Sequence, residues 1–412
     1  VHYFNRRNHL GELYKTVTAM LLDRSTGCGM WRVKETVVYP FDLCLGESIG
    51  RGIPYSRLEC DPMAMANPPL VSFYRNFKAL TWKVEMVETL RRYGASSCPP
   101  PPTPPPLTPT AARYCARQGI DVNTIIPESF VFRSKRDNSK ERRRFIDSFY
   151  TAADMPGVSN VWILKPSGGG KGKDIELVGQ CCCDDVGMMS SQIDSIRYGR
   201  TDWVFCKYIE RPLLLTGGRK FDIRTWVLLD HNYDAYLYRQ GVLRTGSVAY
   251  HLEDLGDKFV HLSNHCIQEN HPEYGKYEPT NEMWWHEFGE YMRLAFPEAG
   301  VARWGRVPHS RFSSPPQADI LPQLRQLIVV SFEAAKDALW HAEGGGSGEY
   351  GHQSFNLFGF DFMIDEAFKV WLVEINSSPG VAKQLLHPLA RDLIHTAIEP
   401  VFSPQPRATE KL

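Results

Sequence analysis

The sequence has no excess of charge of either sign and no long hydrophobic run. Lysine plus arginine and aspartate plus glutamate number 47 each, so the formal net charge is zero. No global field therefore favours nucleic acid or an anionic membrane as a partner. No apolar stretch approaches the roughly 18 residues that a membrane-spanning helix requires, and no signal-peptide pattern is present. We therefore expect a soluble cytoplasmic protein that binds neither nucleic acid nor membrane.

Cysteine is sparse, with ten residues in 412, and three of these are adjacent at 181–183. Adjacent cysteines match neither the spacing of a disulfide framework nor the paired spacing of zinc ligands. We therefore expect reduced thiols that have no catalytic or metal-binding role.

A length of 412 residues predicts two or three domains, because a single hydrophobic core seldom serves so long a chain. Residues 1–69 are a candidate small mixed domain, with helical spacing of apolar residues over 10–22 and a strand pattern over 31–39. The proline-rich stretch 96–110 can form neither a helix nor a central strand. We expect it to be an extended insert, and a spacer is favoured over a docking site.

Two stretches carry local positive charge. Residues 133–144 contain seven basic and two acidic residues, and a helix predicted over 71–93 carries Arg75, Lys78 and Lys83 on a mostly polar side. Residues 133–144 are either a disordered, solvated loop or a docking site for an acidic peptide, and the helix presents either a solvated face or a partner-binding face. For the helix, a solvated face is the expected outcome. Residues 133–144 contain no interleaved aromatic residues, which disfavours nucleic acid.

Residues 355–375 predict a β-hairpin. Aromatic and branched residues fill both arms, and a short polar turn separates them. If the turn spans 366–369, Asp361 falls opposite Glu374. Asn376 then projects from the same face, two residues beyond Glu374. The sequence therefore predicts three oxygen-bearing side chains together on an otherwise apolar hairpin.

Two neighbouring carboxylates require a cation between them. At about 4 Å and an effective dielectric near 20, two such charges repel by roughly 4 kcal/mol. Hard oxygen ligands suit Mg²⁺, which commonly takes further oxygens from a substrate phosphate. The alternative is that Asp361 caps a bend and Glu374 pairs with a nearby lysine. The hairpin alone leaves both interpretations open.

A glycine-rich turn follows the short apolar strand predicted at 161–164. Lys165 precedes this turn, glycines occupy 168–170 and 172, and Lys171 lies within it. Glycine lets backbone amides approach an anion closely. A Walker A motif is excluded because Gly172, and not serine or threonine, follows Lys171. The pattern favours a hairpin lid over phosphates, and a bare surface turn is the alternative.

Charged residues alternate along the strand predicted at 219–230. A period of two places Lys220, Asp222 and Arg224 on one face of this strand. Charges on a buried strand are uncommon unless they line a site. Residues 204–209 predict another strand that leads into a connection, where backbone groups can bind the edge of an adenine ring.

Three features, taken in chain order, resemble the tubulin tyrosine ligase-like family. They are the lysine before the glycine turn, the Lys-x-Asp-x-Arg strand, and the hairpin that carries Asp and Glu-x-Asn. The segments that carry the resemblance are VLLDHNYDAYLYRQGVLRTGS, HLSNHCIQ, YGKYEPTNEM and QSFNLFGFDFMIDEAFKVWLVEINSSP. The resemblance spans most of the chain, is most specific over about residues 204–380 and is strongest to the tyrosine-adding member of the family.

The family implies an α/β (α+β) fold of ATP-grasp architecture. The implied division is a small mixed N-terminal domain at 1–69 that contacts tubulin, a central subdomain at 70–209 and a C-terminal subdomain at 210–412. The proline-rich insert at 96–110 belongs to the central subdomain, and the metal site belongs to the C-terminal one.

The resemblance also implies roles for individual residues. The implied ATP contacts are Lys165, Lys171, Gly172, Cys206, Lys207, Tyr208, Ile209, Lys220 and Asp222. The implied Mg²⁺ ligands are Asp361, Glu374 and Asn376. The implied contacts of the acceptor peptide and amino acid are Arg224, Arg244, Ser263 and Asn264, and the implied catalytic residues are Lys220, Arg224 and Arg244.

The implied reaction adds free L-tyrosine to the C-terminal glutamate of detyrosinated α-tubulin, through an acyl phosphate, with ATP and Mg²⁺ as cofactors. The expected partner is the α/β-tubulin dimer with its acidic tail, so the protein is expected to be a cytoskeleton-associated monomer. Two alternatives remain open. One is addition of glutamate or glycine to tubulin tails by the same ATP apparatus, and the other is an inactive tubulin-binding member of the family.

Overall fold

The computed structural model describes residues 2–6, 11–23, 31–34, 40–46, 53–95, 121–154, 159–170, 172–179, 185–296, 320–340 and 351–402. The proline-rich stretch 96–110, Lys171 and the cysteine run 181–183 lie outside these residues. The predictions made for them stay predictions.

The described strands and helices alternate in groups along the chain. The strands are β1 (His2–Arg6), β2 (Trp31–Lys34), β3 (Leu43–Leu45), β4 (Leu70–Val71), β5 (Ser129–Phe132), β6 (Trp162–Pro166), β7 (Glu176–Val178), β8 (Trp203–Lys207), β9 (Arg219–Leu229), β10 (Ala235–Ala249), β11 (Glu282–Trp284), β12 (Gln353–Ser354), β13 (Asn356–Ile364) and β14 (Val370–Asn376). The α-helices are α1 (Glu12–Leu22), α2 (Tyr55–Leu58), α3 (Pro62–Ala66), α4 (Lys78–Thr81), α5 (Lys83–Ala95), α6 (Ser139–Ala153), α7 (Asp185–Tyr198), α8 (Lys258–His261), α9 (His265–Gln268), α10 (Trp285–Ala295), α11 (Ile320–Leu339), α12 (Leu386–Leu393) and α13 (Glu399–Phe402).

Three sheets organise the described residues. One is parallel and has the strand order β12-β4-β3-β1-β2. The second is antiparallel, with the order β5-β8-β6-β7. The third is also antiparallel, with the order β11-β10-β9-β13-β14. Helices combined with antiparallel sheets confirm the predicted α+β class.

The parallel sheet combines residues from all three predicted domains. Strands β1 to β3 come from 1–69, β4 follows that boundary, and β12 pairs with β4 from the far end of the chain. Nearby, the Tyr74 hydroxyl donates a hydrogen bond to the Asp230 carbonyl at 2.6 Å. The N-terminal sheet is therefore completed by the C-terminal part of the chain. The predicted domain boundaries stay a prediction.

The single helix predicted over 71–93 is wrong over 71–77, and the part that is helical is broken at Trp82. Val71 ends strand β4, and the short helix α4 stops at Trp82, which has an extended backbone with φ −89° and ψ 125°. Helix α5 then begins anew at Lys83. This break directs Lys83 into the interior, where it is 6% exposed. Lys83 is therefore not part of the solvated face that the sequence predicted.

The turn of the β13–β14 hairpin is one residue longer than predicted. Ile364 pairs with Val370, so the turn spans 365–369. The Asp365 carboxylate accepts hydrogen bonds from two backbone N–H groups within the turn, at 2.9 and 3.0 Å. These bonds satisfy the polar groups of a five-residue turn, which explains why it replaces the four-residue one.

A bulge restores the predicted pairing further along the hairpin. Phe362 pairs with Leu372 and Asp361 pairs with Glu374, so Val373 is an extra residue on β14. The predicted opposition of Asp361 and Glu374 is confirmed. It depends on two irregularities, the longer turn and the bulge, which compensate each other.

An aromatic cluster supports the β5-β8-β6-β7 sheet on its outer side. Helices α6 and α7 pack against this sheet, and the buried rings include Phe130, Phe145, Trp162 and Phe205. Phe145 and Trp162 form an edge-to-face pair with centroids 5.1 Å apart. This packing holds β6 and β8 firmly, so the polar residues at their ends have a fixed position.

Candidate functional site

A cavity lies between the β5-β8-β6-β7 sheet and the β11-β10-β9-β13-β14 sheet, and encloses about 970 Å³ with its open mouth included. It brings together most of the described residues that the sequence singled out: Lys165, Cys206, Lys207, Tyr208, Ile209, Lys220, Asp222, Arg244, Ser263, Asn264, Asp361 and Glu374. Arg224 and Asn376 are not part of its lining.

Strand β9 presents its charged residues as predicted. Lys220, Asp222 and Arg224 are 6%, 9% and 9% exposed. Asp222 pairs with Arg244 on β10, and Arg224 pairs with Asp361 on β13. Opposite residues of neighbouring strands point to the same face, so one sheet face collects charges from three adjacent strands.

Ion pairs connect these charges in a continuous row. Arg244 Nε donates to Asp222 Oδ1 at 2.6 Å, and Arg244 Nη2 lies 3.0 Å from Asp361 Oδ2. Arg224 Nη2 donates to Asp361 Oδ2 at 2.8 Å, and Arg224 Nε donates to the other Asp361 oxygen. Ser263 donates its hydroxyl hydrogen to Asp222. We call this set the ion row: Ser263, Asp222, Arg244, Asp361 and Arg224.

The two arginines keep Asp361 ionised in spite of burial. Burial raises the pKa of Asp361, but Arg224 and Arg244 outweigh it and leave the pKa below its ordinary value. For Arg244, burial lowers the pKa, and Asp222 and Asp361 outweigh that effect and raise it above the usual range. Asp361 and Arg244, which both line the cavity, are therefore buried and charged.

Glu374 has a different cationic partner, Lys83, which the sequence analysis missed. Lys83 Nζ lies 3.2 Å from Glu374 Oε1 and donates to the Gly169 carbonyl at 2.8 Å. The alternative that Glu374 pairs with a lysine is therefore correct for Glu374. The alternative that Asp361 caps a bend is wrong, because Asp361 is paired with arginines.

The sequence contains a pattern that predicts the burial of Lys83. In helix α5 the positions 83, 87 and 90 follow the spacing of one helical face, and Val87 and Leu90 are buried. Lys83 therefore belongs to the apolar face of α5. Only the break at Trp82 separates this helix from α4, and the single helix predicted over 71–93 ran through that break.

The glycine turn is anchored at its base by α5. The Ser167 carbonyl accepts from the Lys83 backbone N–H at 3.3 Å, and the Ser167 hydroxyl accepts from the Val84 N–H at 3.2 Å. Lys165, at the end of β6, is 8% exposed and has no hydrogen-bond or ion-pair partner among the described residues. Its charge is thus available to a ligand in the cavity.

Gly172 occupies a position that only glycine fits well. Its φ is +70°, and a Cβ there would lie 2.5 Å from Ile267 Cδ1 and 3.3 Å from Asn264 Oδ1. Residues other than glycine rarely adopt such a backbone. Gly172 therefore brings the glycine turn into close contact with the segment that carries Ser263 and Asn264.

Lys220 is buried among hydrogen-bond acceptors. Its Nζ donates to the His261 carbonyl at 2.6 Å and to the Tyr208 hydroxyl at 2.9 Å. Burial lowers its pKa to about 7, with Asp222 opposing the shift and Lys165 adding to it. A lysine with this pKa gains a full charge when an anion binds beside it.

The predicted adenine hinge lies at the cavity wall. The Lys207 and Tyr208 N–H groups donate within the protein, to the Glu128 and Val161 carbonyls at 2.7 and 2.9 Å. The Ile209 N–H has no hydrogen-bond partner among the described residues. Ile209 also lines the cavity. It therefore supplies a backbone donor that an adenine edge can use.

The three predicted metal ligands lie close together but do not share one surface. Asn376 Nδ2 lies 3.4 Å from Asp361 Oδ2, while Glu374 projects towards Lys83. Within the described ranges, no group of three or more His, Cys, Asp and Glu side chains could hold a metal ion. Two carboxylates and one amide oxygen still form a hard donor set whose chemistry fits Mg²⁺, with phosphate oxygens completing the shell.

Residues 133–144 have a defined structure, and acidic side chains neutralise part of their positive charge. Arg133 contacts Glu85, Glu88 and Asp202 at 2.7 to 3.2 Å. Arg142 pairs with Asp194 and Arg144 pairs with Glu141. The alternative of a disordered loop is wrong, since these residues span the end of β5 and the start of α6. The positive charge that remains for a partner is smaller than the sequence suggests.

The family model described as "Tubulin-tyrosine ligase family" matches residues 74–296 and 310–411. The chain belongs to this family. The matched segments contain every residue of the ion row, Lys83 and the glycine turn, so the cavity belongs to the part of the chain that the family shares.

Curated relatives of the chain carry glycylase names. The chain is 31% identical to mouse "Protein monoglycylase TTLL8" over 268 residues, which is 62% of this chain and 28% of that protein. It is 31% identical to human "Tubulin monoglycylase TTLL3" over 237 residues, 56% of this chain and 27% of that protein. It is 28% identical to "Tubulin glycylase 3C" of Tetrahymena thermophila over 256 residues, 60% of this chain and 21% of that protein.

The chain thus spans about a quarter of the length of these relatives. In the part of the chain that the structure describes, no helix combines the length and the hydropathy that a bilayer crossing requires.

Proposed function

We propose that the chain is an ATP-dependent carboxylate–amine ligase that adds glycine to glutamate side chains of tubulin tails. The observation that carries the proposal is a single cavity that is lined by four members of the ion row (Asp222, Arg244, Ser263 and Asp361) and by Lys165 and Lys220. Membership of the family supports ligase chemistry. The names of the relatives favour the glycine alternative over the tyrosine addition expected from the sequence.

The nucleotide would bind with its adenine at the hinge and its phosphates between the two sheets. The Ile209 N–H offers a donor to the adenine edge, while Lys165, Lys220 and Lys83 offer positive charge to the phosphates. Both sheets contribute, so the phosphates would bridge them. Lys171, which lies outside the described residues, is proposed to join the glycine turn over the phosphates.

Mg²⁺ is proposed as the second cofactor, held by Asp361, Glu374 and Asn376 together with phosphate oxygens. When bound, it would neutralise phosphate charge and make the γ-phosphate a better electrophile. Arg224 and Arg244 keep Asp361 ionised, which is the state that a cation requires. Lys83 limits the repulsion that Glu374 would otherwise experience from Asp361 and the phosphates.

The reaction would proceed in two transfers. An oxygen of the acceptor carboxylate attacks the γ-phosphorus, the bond from the γ-phosphorus to the bridging oxygen breaks, and ADP leaves with that electron pair. The amine of glycine then attacks the acyl phosphate carbon, phosphate leaves, and the amine loses its proton. The protein contributes position and charge neutralisation. The Nη1 groups of Arg224 and Arg244 have no hydrogen-bond partner among the described residues, and each can donate a hydrogen bond to a substrate carboxylate.

Incorporation of labelled amino acids into tubulin tests this proposal. Purified protein, ATP and Mg²⁺ are incubated with labelled glycine, tyrosine or glutamate, using tubulin with and without its terminal tyrosine. ATP-dependent uptake of glycine alone supports the proposal. Uptake of tyrosine restricted to detyrosinated tubulin would favour tyrosine ligation, and tubulin binding without any uptake would favour the inactive tubulin-binding alternative.

Binding to tubulin would associate the protein with the cytoskeleton. We propose that an acidic tail contacts the basic residues of 133–144 that have no ion-pair partner in the described part of the chain, namely Lys135, Arg136, Lys140 and Arg143. Their attraction should weaken as salt rises, because exposed charges are screened within about 10 Å at 0.1 M salt.

A further inference from the structure

A second cavity adjoins the first one and encloses about 1020 Å³ with its open mouth included. We call it the acceptor groove. Its walls come from three places: the end of helix α4 with Trp82, the glycine turn at 167–170, and the end of β14 with Ser377 and Ser378. Neither its helix wall nor its two serines line the nucleotide cavity.

Among the described lining residues, Glu374 is the one that both cavities share. Lys83 ties Glu374 to the Gly169 carbonyl, with contacts of 3.2 and 2.8 Å. Glu374, Lys83 and Gly169 therefore lie where the acceptor groove meets the nucleotide cavity. A group that enters through the groove would reach the phosphates at this junction.

The charge of the acceptor groove suits an acidic ligand. Lys78 is exposed at its edge, with Nζ 4.4 Å from the centre of the Trp82 ring. Trp82 is 41% exposed, so its ring is available to a ligand. Glu374 is the one carboxylate among the described lining residues, and Lys83 pairs with it. The hydroxyls of Ser377 and Ser378 and the amide of Asn376 add neutral hydrogen-bonding groups.

We propose that the acceptor groove binds the acidic peptide that carries the acceptor glutamate. The acceptor carboxylate would reach the phosphates at the junction beside Glu374 and Lys83, and Lys78 with Trp82 would bind a neighbouring acidic residue of the peptide. Lys78 supplies the charge, and the Trp82 ring holds its side chain in place. This inference rests on the proposed ligase function and names the surface through which the acceptor enters.

The test uses Lys78→Glu and Trp82→Ala in the full chain, with a glutamate-rich tail peptide as acceptor. We expect Lys78→Glu to raise the KM for the peptide by about tenfold, because reversing one charge replaces attraction by repulsion. Trp82→Ala should raise it by about threefold, because Lys78 loses its support. The affinity for an ATP analogue should change by less than about twofold in both variants, because neither residue lines the nucleotide cavity.

Lys276→Glu is the matched control. Lys276 is also an exposed lysine near an aromatic ring, 5.4 Å from the centre of Tyr277, and it lines neither cavity. An unchanged KM for the peptide in Lys78→Glu, or an equal rise in Lys276→Glu, would overturn the acceptor groove. If the wild-type protein still ligates the amino acid, either of these results would leave the proposed ligase function unaffected.

Direct binding separates the two proposals when no ligation is detected. Fluorescence anisotropy of a labelled glutamate-rich peptide is measured with the wild type, Lys78→Glu and Lys276→Glu. Weaker binding to Lys78→Glu alone supports the groove even if the ligase proposal fails. Equal binding to all three proteins, or none to the wild type, would overturn the groove.

Discussion

Lys83 and Glu374 are 291 positions apart in the chain, yet their side chains meet at 3.2 Å. No local pattern encodes such a contact, because it depends on how α5, β6 and β14 pack together. The arrangement of the charged residues on β9, in contrast, follows from a local pattern. Lys220, Asp222 and Arg224 share a face because of the two-residue period of a strand, and that is readable from the sequence.

Glu374 gives the most direct test at the residue scale. Glu374→Gln keeps the shape of the side chain and removes its charge. The substitution therefore weakens both the proposed binding of Mg²⁺ by residue 374 and its ion pair with Lys83. We expect ligation to fall by at least about 100-fold while the circular dichroism spectrum is unchanged. The measurement is ATP-dependent incorporation of labelled glycine.

Glu366→Gln is the control on the same hairpin. Glu366 is exposed and pairs with Arg211 at 3.0 Å on the protein surface. Loss of an exposed ion pair should change activity by less than about twofold. Near-normal ligation by Glu374→Gln would refute its role, as would an equal loss in Glu366→Gln.

Lys220 predicts a pH dependence of stability. Its pKa is about 7 in the folded protein against an ordinary value of 10.5. Between these pH values the unfolded chain binds more protons than the folded chain, so the free energy of unfolding rises with pH. The full effect of one proton is about 1.4 kcal/mol per pH unit. Lys220→Met removes this contribution.

Urea unfolding of wild type and Lys220→Met at pH values from about 7 to about 9 measures the effect. The difference in the free energy of unfolding, wild type minus variant, should grow in favour of the wild type as pH rises. Parallel pH dependences would mean that Lys220 keeps an ordinary pKa in the folded protein.

At the scale of elements, some features of the β13–β14 hairpin could be predicted from the sequence and others could not. The two arms and the opposition of Asp361 and Glu374 were predicted from aromatic content and pairing geometry. The five-residue turn and the bulge at Val373 were not predicted. A turn length depends on a few hydrogen bonds of Asp365, and a bulge depends on neighbouring strands. Single-chain periodicity detects neither of them.

The glycine turn makes a prediction at the same scale. Gly172→Ala would force a Cβ into a backbone with φ of +70° and within 2.5 Å of the flexible end of Ile267. The left-handed backbone costs roughly 1–2 kcal/mol for a non-glycine residue. The turn should shift, so we expect the affinity for a fluorescent ATP analogue to fall by about tenfold.

Gly168→Ala is the comparison within the same turn. A Cβ at Gly168 meets no atom within 4 Å, so its nucleotide affinity should stay within about twofold of the wild type. Equal affinity in Gly172→Ala and the wild type would show that the turn tolerates a side chain there. It would remove the reason to place Gly172 in the lid over the phosphates.

At the scale of the whole molecule, the site depends on the packing of the three sheets. The α+β class and the family were predictable because many segments carry them independently. The completion of the N-terminal sheet by β12 was not, since Gln353 and Leu70 pair across most of the chain. The choice of amino acid was predicted as tyrosine, while the relatives favour glycine, because the ATP apparatus is common to ligases that differ in this choice.

The central claim is that one cavity couples ATP to the joining of a carboxylate and an amine. Its most direct test measures ADP release and labelled glycine incorporated into tubulin in the same reaction. We expect equal amounts of ADP and incorporated glycine, and no ADP release above background when tubulin is left out. Glycine incorporation without ATP, or ADP release that is independent of tubulin and glycine, would contradict it.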